Sequence, residues 1–104
     1  MNLSEYQEKA MAYAEYDDEM YPFLALPEEV GEFLTPIAKS LRGDAINYEE
    51  YNLQLLKEAG DVLWQLTACI NELGFTLEEV AQANIDKLAS RKERGKIRGE
   101  GSER

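Results

Sequence analysis

The sequence predicts an all-α fold, and three observations carry that prediction. Apolar residues recur with helical period in four successive segments, no segment alternates apolar with polar residues as a half-buried strand does, and no low-complexity run interrupts the chain. With 104 residues, the chain is expected to form a single domain over residues 1–104, large enough to bury a core and too small to divide.

The first helix is expected over residues 4 to about 20, with Ser4 as N-cap and Gln7 in capping-box position. Leu3, Tyr6, Ala10, Tyr13 and Ala14 would form its buried stripe, and the Asp17-Asp18-Glu19 run with Pro22 would end it. The second helix should begin near Pro27, because proline suits a first helical turn. Val30, Phe33, Leu34, Ile37, Ala38 and Leu41 keep its apolar spacing, Pro36 should kink it, and Gly43 should stop it. The third is expected over residues 48 to 73, with Leu55, Leu56, Val62, Leu63, Leu66 and Ile70 as its core face and Gly74 as the residue that closes it. Thr76 and Glu79 form a capping box that opens the fourth, which continues through Val80, Ile85 and Leu88 toward Lys92. Residues 93–104 make a basic, glycine-spaced tail, expected to be disordered or to order only against a ligand or a neighbouring subunit.

Composition removes several function classes. The single Cys69 cannot form an internal disulfide, and neither a signal-peptide pattern nor an apolar run long enough to cross a bilayer is present, so a reducing, cytoplasmic setting without membrane contact is expected. The net charge is −10, laid out unevenly: residues 1–86 hold 18 acidic and 4 basic residues, whereas 87–104 hold 3 acidic and 7 basic. Such an acidic body repels nucleic acid polymers, whose binding depends on neutralising many phosphates. A basic segment beside a metal can still hold a small phosphorylated ligand.

Two acidic pairs share one spacing, Glu29-x-x-Glu32 and Glu58-x-x-Asp61. Residues three apart lie on one helix face, so two such helices facing each other would form an oxygen-only nest suited to Mg²⁺ or Mn²⁺. Glu28, four residues before Glu32, falls in the same arc. Gly31, Ala59 and Gly60 lie between the acids, and glycine inside a helix costs stability, which points to close approach of a backbone or a bulky ligand. The competing explanation is that these acids are solvated faces of an acidic protein. Against it stand the apolar neighbours Leu26, Val30, Phe33, Leu63 and Trp64, which draw the acids inward, where carboxylates without cations are unfavourable. The chain has no histidine and one cysteine, which disfavours zinc, copper and the Glu-x-x-His di-iron sites of helical bundles.

Cations sit on the fourth helix. Asn84, Lys87 and Arg91 share a face there and are candidates for holding phosphate oxygens, although cations near a helix C-terminus also answer the helix dipole. Lys39, two turns beyond Glu32, and Arg42 are further phosphate candidates that read more readily as surface residues. Trp64, one turn past Asp61, and Tyr6, Tyr13, Tyr16 and Tyr21 offer faces on which a base could stack, or plain core aromatics.

The segments YQEKA, EVGEF, KEAGDVLWQL, LGFTLEEVAQANIDKLASR and RGKIRGEGSER, with twenty-five residues between Glu32 and Glu58, resemble the MazG-like all-α nucleoside triphosphate pyrophosphohydrolases over nearly the whole length. The resemblance implies a four-helix bundle-like fold that assembles as a homodimer or homotetramer. It implies Mg²⁺-dependent hydrolysis of a (deoxy)nucleoside triphosphate between the α and β phosphates, giving the monophosphate and pyrophosphate. Carried onto this chain, Glu29, Glu32, Glu58 and Asp61 would hold the metal, and Asn84, Lys87 and Arg91 the phosphates or sugar. Glu28 and Glu29 are the candidates for the base that takes the proton of the attacking water. Ser102 stands where relatives often carry an acid, and Glu28 where they often carry a smaller residue. The alternative is a helical module that binds a metal-nucleotide without turning it over.

Overall fold

A computed structural model describes residues 1–95, 97 and 99. Four helices form all of the regular structure among them: α1 (Leu3–Met11), α2 (Tyr21–Leu41), α3 (Tyr48–Glu72) and α4 (Leu77–Glu93). The all-α reading holds. The two long helices, α2 and α3, pack on each other through the loop 42–47; α1 lies on α3, and α4 on α1. No described helix is long and apolar enough to cross a membrane.

Boundaries set by local chemistry fall where the sequence puts them. Asn47 caps α3 by accepting from the backbone N–H groups of Glu49 and Glu50, and Gly74 follows it with φ +82, the left-handed turn that glycine takes without strain. Thr76 and Glu79 form the full reciprocal capping box of α4.

The first two helices depart from expectation. Asn2, not Ser4, caps α1 through its side chain, and α1 stops at Met11 instead of near residue 20. The Asp18 side chain accepts from the Met20 N–H and the Asp18 carbonyl from the Tyr21 N–H. Those bonds offer the backbone a turn in place of a helix and launch α2 at Tyr21, six residues before Pro27. Pro22 takes the first-turn position, while Pro27 and Pro36 lie inside a helix that continues across both. Gln7 does not reach back to cap its own helix. Its amide Nε2 donates to the Phe75 carbonyl (3.2 Å) and its Oε1 accepts from the Leu77 N–H (2.8 Å), tying α1 to the α3–α4 turn.

The core is small. Ala10, Ala25, Ala68, Cys69, Ile70 and Leu77 are its buried apolar residues, with Pro22 and Thr67 fully enclosed. Short side chains at these places let the helices approach closely. Several residues expected to face a core remain exposed in the single chain: Leu3, Tyr13, Leu34, Ala38, Leu41, Leu56, Leu63, Leu66, Val80, Ile85 and Leu88. The shortened α1 leaves much of the long pair uncovered. The expected tail, with Ser102, falls largely outside the described residues.

Candidate metal centre

The helical period of α2 places Glu29 and Glu32 on one side, and that of α3 brings Glu58 opposite them. Carboxylate oxygens of the three lie within 4.8 Å of one another. Glu29 and Glu58 are half-buried, and the Oε2 of each is sealed from solvent with no hydrogen-bond partner in the chain. Arg42 pairs with Asp44, with bonds of 2.9 and 2.6 Å, and the charges that act on Glu29 are those of carboxylates.

The electrostatic consequence is visible at Glu29. Burial chiefly, then the like charges of Glu32, Asp61, Glu58 and Glu28, push its carboxyl above the ordinary value. Like charges crowded without a cation are unfavourable. A hard divalent cation answers both problems, because it takes oxygen donors and neutralises the cluster. The donor set therefore fits such an ion, and it lacks the nitrogen and sulfur that softer metals take.

The remaining candidate residues are placed unevenly. Asp61 is exposed and lies outside the three-carboxylate group, although its charge reaches both Glu29 and Tyr6. Glu28 is exposed and also stays outside the group. A Cβ added at Gly31 or Gly60 would meet open space, so neither glycine marks a close backbone approach within this chain, and of the two expectations the approach of a bulky ligand is the one left. Trp64 lines a cavity of about 290 Å³ that also reaches Glu29. Lys39 lines a separate hollow with Asp44, Glu50 and Tyr51 at the far end of α2, in keeping with a surface role.

The α4 face is not beside the acids of its own chain in any described bond, ion pair or cavity. Asn84 and Lys87 are exposed and line a groove with Phe75 and Val80, whereas Arg91 is buried at the end of the helix. The stretch between α1 and α2 supplies what the sequence reading left undivided: Tyr16 and Tyr21 stack with ring centroids 5.9 Å apart at 24°, and Tyr16 donates to Glu72 (2.7 Å). Gln65, which no motif singled out, is buried in the same cavity wall as Trp64.

Two packed helices that converge three carboxylates define a helical protein with an acidic cluster of the kind that can hold a divalent cation. The chain belongs to the MazG nucleotide pyrophosphohydrolase family, whose domain model matches residues 18–95 and so takes in both acidic motifs. It is similar to the Gene 37 protein of Mycobacterium phage L5, 39% identical over 85 residues that cover 81% of this chain and 75% of the phage protein. No solved structure gives a significant match.

Proposed function

We propose that this protein hydrolyses a (deoxy)nucleoside triphosphate at the α–β phosphate bond, releasing the monophosphate and pyrophosphate, with Mg²⁺ as cofactor and Mn²⁺ as a substitute. One observation supports this most: two sealed carboxylate oxygens without hydrogen-bond partners, on two helices, in a three-carboxylate cluster, in a chain of this family.

Glu29, Glu32 and Glu58 would hold the cation, with Asp61 joining from its exposed position one turn beyond Glu58. When bound, the ion supplies charge neutralisation at the phosphates and a more acidic water. Glu28 is the carboxylate of the first motif that the cluster does not draw in, which leaves it free to accept the proton of the attacking water; Glu29, the other candidate, is committed to the cluster. Trp64 would pack against the nucleoside, and its position in a cavity shared with Glu29 supports that role. Asn84, Lys87 and Arg91 would hold phosphate oxygens.

Because α4 packs on α1, its phosphate-binding face is proposed to serve a site completed by a second copy. The exposed leucines at 24, 34, 41, 53 and 56 support a homodimer or homotetramer, since apolar area on this scale is usually covered. The working unit is taken to be the single domain 1–104 in a reducing cytoplasm, acting on a small nucleotide and not on a polymer.

A panel of standard and modified nucleoside triphosphates, incubated with Mg²⁺ or Mn²⁺, tests the proposal. The expected product is pyrophosphate from at least one substrate, with Glu32→Gln inactive. Orthophosphate as the primary product would point to another reaction, and tight binding without any product would favour a non-catalytic nucleotide-binding module.

A further inference from the structure

We propose that Gln65 reads the edge of a nucleobase held in the cavity beside the carboxylate cluster. The cavity, of about 290 Å³, includes Tyr16, Tyr21, Glu29, Trp64, Gln65 and Ala68 in its lining. Glu29 belongs to both the cavity and the cluster, so a ligand seated there lies directly against the acids. The assignment of base to cavity rests on the proposed nucleotide substrate, but base recognition by Gln65 does not depend on turnover.

Two of the aromatic residues in the lining, Trp64 and Tyr16, have already spent their polar groups. The indole N–H of Trp64 donates to the Ala10 carbonyl (3.0 Å), and the Tyr16 hydroxyl donates to Glu72. These bonds fix the rings, and the Tyr16–Tyr21 stack holds the second wall. Such rings offer flat apolar faces to a planar ligand.

Gln65 is different. It belongs to the cavity lining and only 7% of the residue is exposed, yet its carboxamide is not among the polar groups sealed without a partner: its polar atoms take part in no described hydrogen bond and stay accessible at the cavity wall. An amide held at a cavity wall without a partner in the chain bonds water there until a ligand replaces it. A ligand that takes the place of that water without loss presents a donor and an acceptor side by side. A nucleobase edge does this, and a carboxamide can bond it twice. Phosphate and ribose, which are common to every nucleotide, would be left to the acids and cations. Gln65 is thereby a specificity-determining residue.

The single tryptophan of the chain lies in the cavity and provides the probe. Adenosine, cytidine, guanosine and uridine monophosphates are titrated into wild-type protein and into Gln65→Leu and Gln65→Glu, following Trp64 fluorescence, with circular dichroism as the check on folding. Wild type should rank the bases, with the best about tenfold or more above the worst, as a bidentate contact implies. Gln65→Leu, which keeps the bulk and removes both polar atoms, should bring all four within about threefold by loss of the best. Gln65→Glu, which loses the donor, should reorder them. An unchanged ranking in the folded variants overturns the proposal, as does a wild type that binds none of the four. A wild type that releases no pyrophosphate yet ranks the bases through Gln65 keeps this inference and sinks the catalytic one. Pyrophosphate release with a ranking indifferent to residue 65 does the reverse.

Discussion

Helix α3 is finished in two different ways along its length. At its C-terminal end the polar groups are paired within the chain: Gln7 bridges the Phe75 carbonyl and the Leu77 N–H, the Thr76–Glu79 box closes the start of α4, and Tyr16 bonds Glu72. Farther back, where α3 faces α2, two carboxylate oxygens are buried with no partner and a third acid crowds them. The first region is arranged as stability requires. The second is arranged against stability, the arrangement expected of the proposed metal site.

Substitutions should therefore act oppositely in the two regions. Glu58→Gln in the acidic region removes a proposed metal ligand and a repulsive charge together. Pyrophosphate release should fall by about 10²-fold or more, while the melting temperature of metal-free protein stays level or rises; a metal-free protein clearly destabilised by the change would show that Glu58 is structural. In the paired region, Gln7→Leu strands the Leu77 N–H and the Phe75 carbonyl. Urea unfolding should show a loss of about 2 kcal/mol, with the ranking of nucleotide substrates unaltered.

The pH dependence sharpens the contrast. Glu29 keeps its proton in the folded chain above the ordinary value of 4.5, at pH values where the unfolded chain has released it. The native state then binds more protons, so the stability contributed by this group is full at acid pH and is lost as pH rises through the raised value. Metal-free protein should melt at progressively lower temperature across that window, and Glu29→Gln should remove this part of the slope. Added Mg²⁺ should reverse the trend, because the ion competes with the proton for the carboxylate. The smallest effect is expected at Thr76→Ala, which loses one N-cap and about 1 kcal/mol, without a pH-dependent component from Glu29.

What the sequence disclosed was mainly what neighbours in the chain decide. The extent of α3, the glycine turn at Gly74 and the capping box at Thr76 follow from side chains within a few residues of each other, and the helical period alone brings Glu29 and Glu32 to one side. Gln7 shows the limit. It has the spacing of a local cap, but its partners are 68 and 70 residues away, and no local pattern announces them. The early end of α1 has a similar origin, since Asp18 and the Tyr16–Glu72 bond favour a turn that helical periodicity does not register. Gly31 and Gly60 suggested the close approach of a backbone or of a bulky ligand, and the chain brings no backbone of its own there. Gln65 was silent because an amide beside a tryptophan looks ordinary until its burial and its want of a partner are known.

A calorimetric titration of Mg²⁺, with Mn²⁺ as a spectroscopic companion, tests the contrast most directly. Wild-type protein should bind the ion with release of protons at mildly acid pH, Glu29→Gln and Glu58→Gln should abolish that binding, and Gln7→Leu should leave it intact in the folded protein. Equal binding by wild type and the two acid variants, or none by wild type, would contradict the assignment of the acids as a metal centre.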